Sequence, residues 1–282
     1  MRHVKLDDST SGITICCESR GPVSIHTHTK FCQSVEFYED IEYKVPEGLV
    51  WIYFPLAKRE TIVAGWVREL VSNLNDRRPV VVLSTSLQRG RSFGPYIHPD
   101  CRSNYRFQSL GSQLGHHVTG FCYNDMGITA STKFKLTLAH ALEETTHCTA
   151  LEPSFGPIAN IPESCAIPDW FYSHASLDGV MRIRMCMDKQ KPHLPCIGIV
   201  LVYSEREEAL GQWRFDREIE EIDPSGSIYL CVGRTKVGPY VKGIVVEKPS
   251  EEEDWCEITL AGTISWWFTS ECSQVVIEKD TF

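Results

Sequence analysis

Basic residues are scarce in this chain: 28 Lys and Arg stand against 37 Asp and Glu over 282 residues, a formal net charge of −9. Phosphate contacts dominate nucleic-acid affinity, so a nucleic-acid binder carries a basic footprint. No basic run here exceeds a pair such as Lys58-Arg59 or Arg77-Arg78, which argues against DNA or RNA as a partner. Long apolar runs are also lacking, so no segment is expected to span a membrane. Residues 1–20 are polar and have no apolar stretch of the kind that drives export, which predicts a cytoplasmic protein. There is no Asn-x-Ser/Thr sequon.

Cofactor signatures are missing as well. The chain has no Gly-x-Gly-x-x-Gly, no Walker motif and no Gly-x-Ser-x-Gly, so dinucleotide, nucleotide-hydrolysing and serine-hydrolase readings lose their best support. Twelve cysteines are present, yet none forms a Cys-x-x-Cys pair. A structural zinc site normally needs close ligand pairs and is not expected. Cysteines inside apolar runs, such as Cys186 in MRIRMCM and Cys231 in IYLCVG, read as reduced, buried small hydrophobes.

What the chain does have is strand signal. Runs at 24–31, 49–54 (LVWIYF), 79–85 (PVVVLST), 180–187, 197–203, 228–232, 241–247, 255–260 and 263–269 are rich in β-branched and aromatic residues. Such residues suit a pleated, half-buried surface. Gly and Pro, 19 and 15 in number, punctuate the runs. Residues 60–73 (ETIVAGWVRELVSN) fit either a helix or two short strands. Residues 132–151 are the better helix candidate, with good helix formers concentrated between Leu138 and Glu144. The expected fold is all-β and mainly antiparallel, with at most one or two short helices. Its organisation is a β-rich unit over 1–151, a Pro- and Gly-rich loop or linker over 152–169, and a second β-rich unit over 170–282.

Two segments echo each other. Arg91-Ser92-Phe93-Gly94-Pro95-Tyr96-Ile97 resembles Arg234-Thr235-Lys236-Val237-Gly238-Pro239-Tyr240-Val241, and each lies downstream of a Trp-containing stretch, at Trp66 and Trp213. A repeated β unit and a coincidence of turn signals both account for this. Val80-Val81-Val82-Leu83, then Gly90-Arg91-Ser92-Phe93-Gly94-Pro95-Tyr96, then Val118-Thr119-Gly120-Phe121 is similar to the run of jacalin-like lectins. The resemblance covers about residues 49–130, with a weaker copy at 197–247. Ala209-Leu210-Gly211-Gln212-Trp213 and Trp266-Trp267-Phe268 further resemble uncharacterised fungal proteins. The resemblance implies a jacalin-like β-prism, or a related two-unit β-sandwich or barrel. It also implies a sugar loop in which an Asp accepts charge-assisted hydrogen bonds. After Phe121 the chain reads Cys122-Tyr123-Asn124-Asp125-Met126-Gly127. Tyr123 and Asp125 match that loop, but the glycine spacing does not.

Histidines supply the remaining chemistry. His26-Thr27-His28 in a strand would share one face, as in metal sites on sheets, but no carboxylate follows at short range. His140, Glu144 and His147 would share one face of a helix, yet the second copy that a di-iron bundle needs is missing. No metal is expected at either place. His98, directly after the Gly-Pro-Tyr turn, and His117, beside His116, are candidate general acids or bases, with Asp125 as a third catalytic candidate. The aromatic load of seven Trp, ten Tyr and twelve Phe offers walls for an organic guest. Trp51, Tyr53, Trp66, Tyr96, Tyr123, Trp213 and Trp266 are the candidate lining residues. Trp266 and its neighbour Trp267 would point to opposite faces of a strand, leaving one exposed or lining a pocket.

Two functions are compatible with these residues. One is a cofactor-independent cyclase or pericyclase of fungal specialised metabolism, of Diels-Alder type, working by holding the reactive conformer in an aromatic-lined cavity. The alternative is a jacalin-like carbohydrate-binding lectin without catalysis. The expected partner is a small organic molecule or a glycan, with no cofactor. A homo-oligomer is compatible with either function.

Overall fold

The computed structural model describes residues 2–30, 34–45, 47–70, 79–98, 105–110, 116–124, 136–144, 161, 170–247 and 255–278. Among these, every sheet is antiparallel, and the strands fall into two units, Met1–Asp169 and Trp170–Phe282. The all-β, antiparallel expectation holds.

Unit 1 runs β1 (Arg2–Lys5), β2 (Thr10–Glu18), β3 (Gly21–Thr29), α1 (Glu36–Lys44), β4 (Val50–Pro55), β5 (Ile62–Leu70), β6 (Val80–Thr85), β7 (Gly90–Phe93), β8 (Tyr105–Ser109), β9 (His116–Tyr123) and β10 (Leu136–Glu144). They pair as three sheets, ordered β1-β9-β10, β3-β2-β4 and β7-β6-β5-β8. The apolar run of β4 is buried at every position, because both faces of its sheet are covered. Val50, Ile52 and Phe54 point one way, where Phe54 meets Phe93 edge to face at 6.3 Å. Trp51 and Tyr53 point the other way, toward α1 and β3. A buried ion pair closes the neighbouring turns. Glu60 accepts from Arg89 at 2.6 Å and from the Ala57 N–H at 2.8 Å, while the Arg89 guanidinium lies over the Phe54 ring at 4.9 Å.

At 60–73, where a helix and two short strands are both open, and at 132–151, the better helix candidate, the described residues form strands instead. Residues 60–73 contain one strand, β5, whose neighbours β6 and β8 satisfy its backbone on both sides. Residues 132–151 contain β10, paired with β9. Leu136 and Leu138 are buried and Thr137 between them is exposed, the period of a strand, so tertiary pairing overrides the helix propensity of the segment. His140 and Glu144 therefore lie along a strand and do not share a helix face, and His147 lies outside the described residues. The helix that does form, α1, was not expected. Its segment is short and acidic, but Phe37, Tyr38 and Ile41 recur at helical spacing and dock it on the sheet.

Unit 2 runs β11 (Phe171–Ser176), β12 (Arg182–Met187), β13 (Cys196–Val202), β14 (Glu207–Gly211), β15 (Glu218–Ile222), β16 (Ser227–Arg234), β17 (Pro239–Val245), β18 (Trp255–Thr259), β19 (Thr263–Phe268) and β20 (Ser273–Glu278). They also form three sheets, ordered β11-β19-β20, β14-β13-β12-β15 and β17-β16-β18. Gly211 pairs with Gly198 across β13 and β14. The approach is so close that a Cβ on Gly211 would stand 2.7 Å from the Ile197 carbonyl and 2.9 Å from Trp266 Nε1, and its φ of 72° suits only glycine. Charges line β15, the outermost strand of its sheet: Glu218 and Glu220 face Lys189, and Glu221 faces Arg182. Deeper, Asp216 takes Arg214 in a two-point grip at 2.9 and 2.8 Å and Arg217 at 2.7 Å, and Arg217 reaches Asp188 at 3.2 Å. Two cations and two anions thus balance within a nearly buried cluster. The two Gly-Pro-Tyr segments occupy different settings: the first follows β7, and the second closes the β16–β17 turn.

Candidate functional site

The richest chemistry among the described residues gathers on the α1-facing side of the β3-β2-β4 sheet. Strand register builds it. Tyr53, Thr14 and His26 stand in one cross-strand row, and Trp51, Cys16 and Ser24 in the next. Residues two apart in a strand share a face, so His28 joins His26. Gly12, opposite His28, is the space in which the Tyr53 ring lies, since a Cβ there would fall 2.4 Å from a Tyr53 ring carbon.

Each imidazole is fixed by a hydroxyl. His28 Nε2 shares a 2.7 Å hydrogen bond with Thr14 Oγ1, and His26 Nε2 shares a 3.0 Å bond with Ser24 Oγ. Aromatic rings enclose both. His28 meets the edge of Tyr53 at 5.7 Å. Phe37 of α1 stacks flat on His26, with ring centres 3.7 Å apart and planes 10° from parallel. Tyr38 packs edge-on to Trp51 at 4.6 Å. Burial pulls the His28 pKa down to about 4. Burial, with the neighbouring His28 and Arg2, pulls His26 down to about 3. Both rings are therefore neutral at physiological pH. His28 is wholly buried and His26 half-buried. A neutral imidazole both donates and accepts a hydrogen bond, so this face presents polar groups in aromatic surroundings without net charge.

The residues singled out from sequence scatter across the fold. Trp51 and Tyr53 lie on this face, both buried. Tyr123 on β9 is buried, and its hydroxyl donates to the Ile25 carbonyl of β3. Trp66 is buried in β5, and Tyr96 and His98 follow β7 in a half-buried segment. His117 is placed by its backbone in β9, and Asp125 lies outside the described residues. In unit 2, Trp213 is buried, with Arg184 over its ring at 5.8 Å and Phe215 at its edge. Trp266 is buried against Gly211. Of the two alternatives for the Trp266-Trp267 pair, exposed or lining a pocket, exposure is corrected. Both are at 0 % exposure, because β19 sits between β11 and β20 with both faces covered.

Sequence reasoning weighed His26 and His28 only as metal ligands or structural residues, and missed Thr14, Ser24 and Phe37. Alternation over 24–28 was the available signal for Ser24. Thr14 and Phe37 join only through long-range pairing and helix docking. Among the described residues, no group of three or more His, Cys, Asp or Glu is arranged to hold a metal ion, and no helix is long and apolar enough to cross a membrane. Compared with known proteins, the chain matches no protein-family model and no curated protein.

Proposed function

We propose that this protein binds an uncharged, carbon-rich organic molecule through the imidazole and aromatic face of unit 1, and that it acts on that molecule without a cofactor, as a cyclase or pericyclase. The observation that carries this reading is the pair of neutral imidazoles, His28 wholly and His26 half-buried, each fixed by a hydroxyl and packed against an aromatic ring. A ring closure of this type needs a reactive conformer held in place and a donor aimed where negative charge develops. A neutral imidazole supplies such a donor without attracting ionic competitors, and aromatic walls supply the grip.

A second reading rests on a different observation. Among the described residues each unit contains three antiparallel sheets, the number a β-prism has, and this favours a carbohydrate-binding lectin of jacalin type as the alternative. The two readings separate by experiment. Uncharged conjugated ketones and polyenes are titrated into the full chain while the imidazole signals of His26 and His28 are followed by NMR, and product formation is followed by mass spectrometry. The enzyme reading expects shifts at these two residues in the wild type and a new product, with product formation lost in a His26→Phe/His28→Gln variant. Glycan-array binding with unmoved imidazole signals would instead establish the lectin.

A further inference from the structure

We propose that α1 is a displaceable cover, and that Phe37 occupies the seat that a planar, conjugated, uncharged guest takes on the His26 ring. This rests on the binding reading above and gives it a guest class and a gate. The Phe37–His26 contact is flat and close, 3.7 Å and 10°, against 33° for Phe37 on Tyr38, 51° for Phe37 on His28, 52° for Phe37 on Trp51, 68° for Tyr38 on Trp51 and 81° for His28 on Tyr53 among the described residues of this face. A parallel stack at contact distance covers the whole imidazole face, and a flat conjugated ring is the shape that reproduces that cover.

The helix is built to leave. It has nine residues, and its N-cap is Val35, with no side-chain cap bond. Helices of this length are marginal in water and rely on docking. Its described apolar anchors are three side chains, Phe37, Tyr38 and Ile41, of which Phe37 is only half-buried. A short helix held through its docked face opens at a lower free energy than the sheet beneath it. Phe37 itself is half-buried, so the edge of the stack reaches the surface. Opening uncovers His26 and Trp51 together, and the polar floor beneath them stays held by the sheet.

The test uses the full chain, with 1-naphthol as the flat probe and decahydro-1-naphthol as a saturated probe of similar size. Hydrogen exchange of the α1 amides is measured with and without each probe. Affinity is measured for the wild type and for Ile41→Ala, which weakens the docking of α1 but leaves Phe37 and its seat in place. A closed cover reduces apparent affinity by the fraction open. The expected result is exchange in α1 accelerated at least tenfold by saturating naphthol, naphthol affinity raised at least tenfold by Ile41→Ala, and little response to the saturated probe. Shifts of the His26 imidazole signals with α1 exchange unchanged would overturn the cover and leave the binding reading standing. If naphthol moves the His26 signals in neither protein, both fall together. If Ile41→Ala does not fold, the wild-type exchange measurement decides alone.

Discussion

Mild acid should weaken unit 1 well before most carboxylates titrate. In the folded protein the pKa of His26 is pulled down to about 3 and that of His28 to about 4, mainly by burial. In the unfolded chain both titrate near about 6.5. A group whose pKa is depressed by folding contributes its full stability above its unfolded pKa and loses it as pH falls toward the folded value. The window therefore opens near pH 6.5 and runs down to about 4 for His28 and about 3 for His26. Each imidazole removes about 1.4 kcal/mol per pH unit in that window, or about 2 kcal/mol at about pH 5, so the pair removes about 4 kcal/mol. Small domains hold about 5–15 kcal/mol in total, so the loss is a large share. Urea unfolding at a series of pH values measures it, with His26→Phe/His28→Gln as the non-titrating reference. The wild type should lose about 4 kcal/mol more than the double variant between about pH 7.5 and 5. Equal losses in the two proteins, or folded-state imidazole signals of these residues titrating near neutral pH, would refute the reasoning.

Three other outcomes are expected. Arg89→Met leaves the Glu60 carboxylate buried without its cation and should cost about 3–5 kcal/mol, whereas the double change Glu60→Met/Arg89→Met should recover most of that loss in chemical denaturation. Gly211→Ala forces a Cβ to within 2.7 Å of a carbonyl at a φ of 72° and should cost more than about 2 kcal/mol. Gly243→Ala, with nothing within 4 Å of the added carbon, should change the melting midpoint little. Under native conditions a thiol reagent followed by peptide mapping should mark exposed Cys256 and spare Cys17, Cys186 and Cys196, whose pKa values burial raises.

Much of the strand framework is legible in the sequence. The runs expected at 49–54, 79–85, 197–203 and 263–269 correspond to β4, β6, β13 and β19, because strands buried on both faces read as continuous apolar runs. Charged strands read poorly. β15 (EIEEI) takes its place from hydrogen bonds to β12 and from ion pairs, neither of which leaves an apolar pattern. α1 was missed and β10 misassigned for the same reason: docking in one case and pairing in the other outweigh local propensity. The candidate site was half legible. His26 and His28 could be placed on one face, but Thr14 and Phe37 reach them only through sheet register and a helix packed across it.

The glutamates of β15 bear on how these molecules treat one another in concentrated solution. A second molecule arriving along β15, an edge of its sheet among the described residues, would have to seat its backbone against carboxylates already tethered to Lys189 and Arg182. Such a flank repels rather than templates further strands. The safeguard is electrostatic and sits in exposed side chains, so concentrated salt, which screens such charges, is where strand-by-strand clumping should begin.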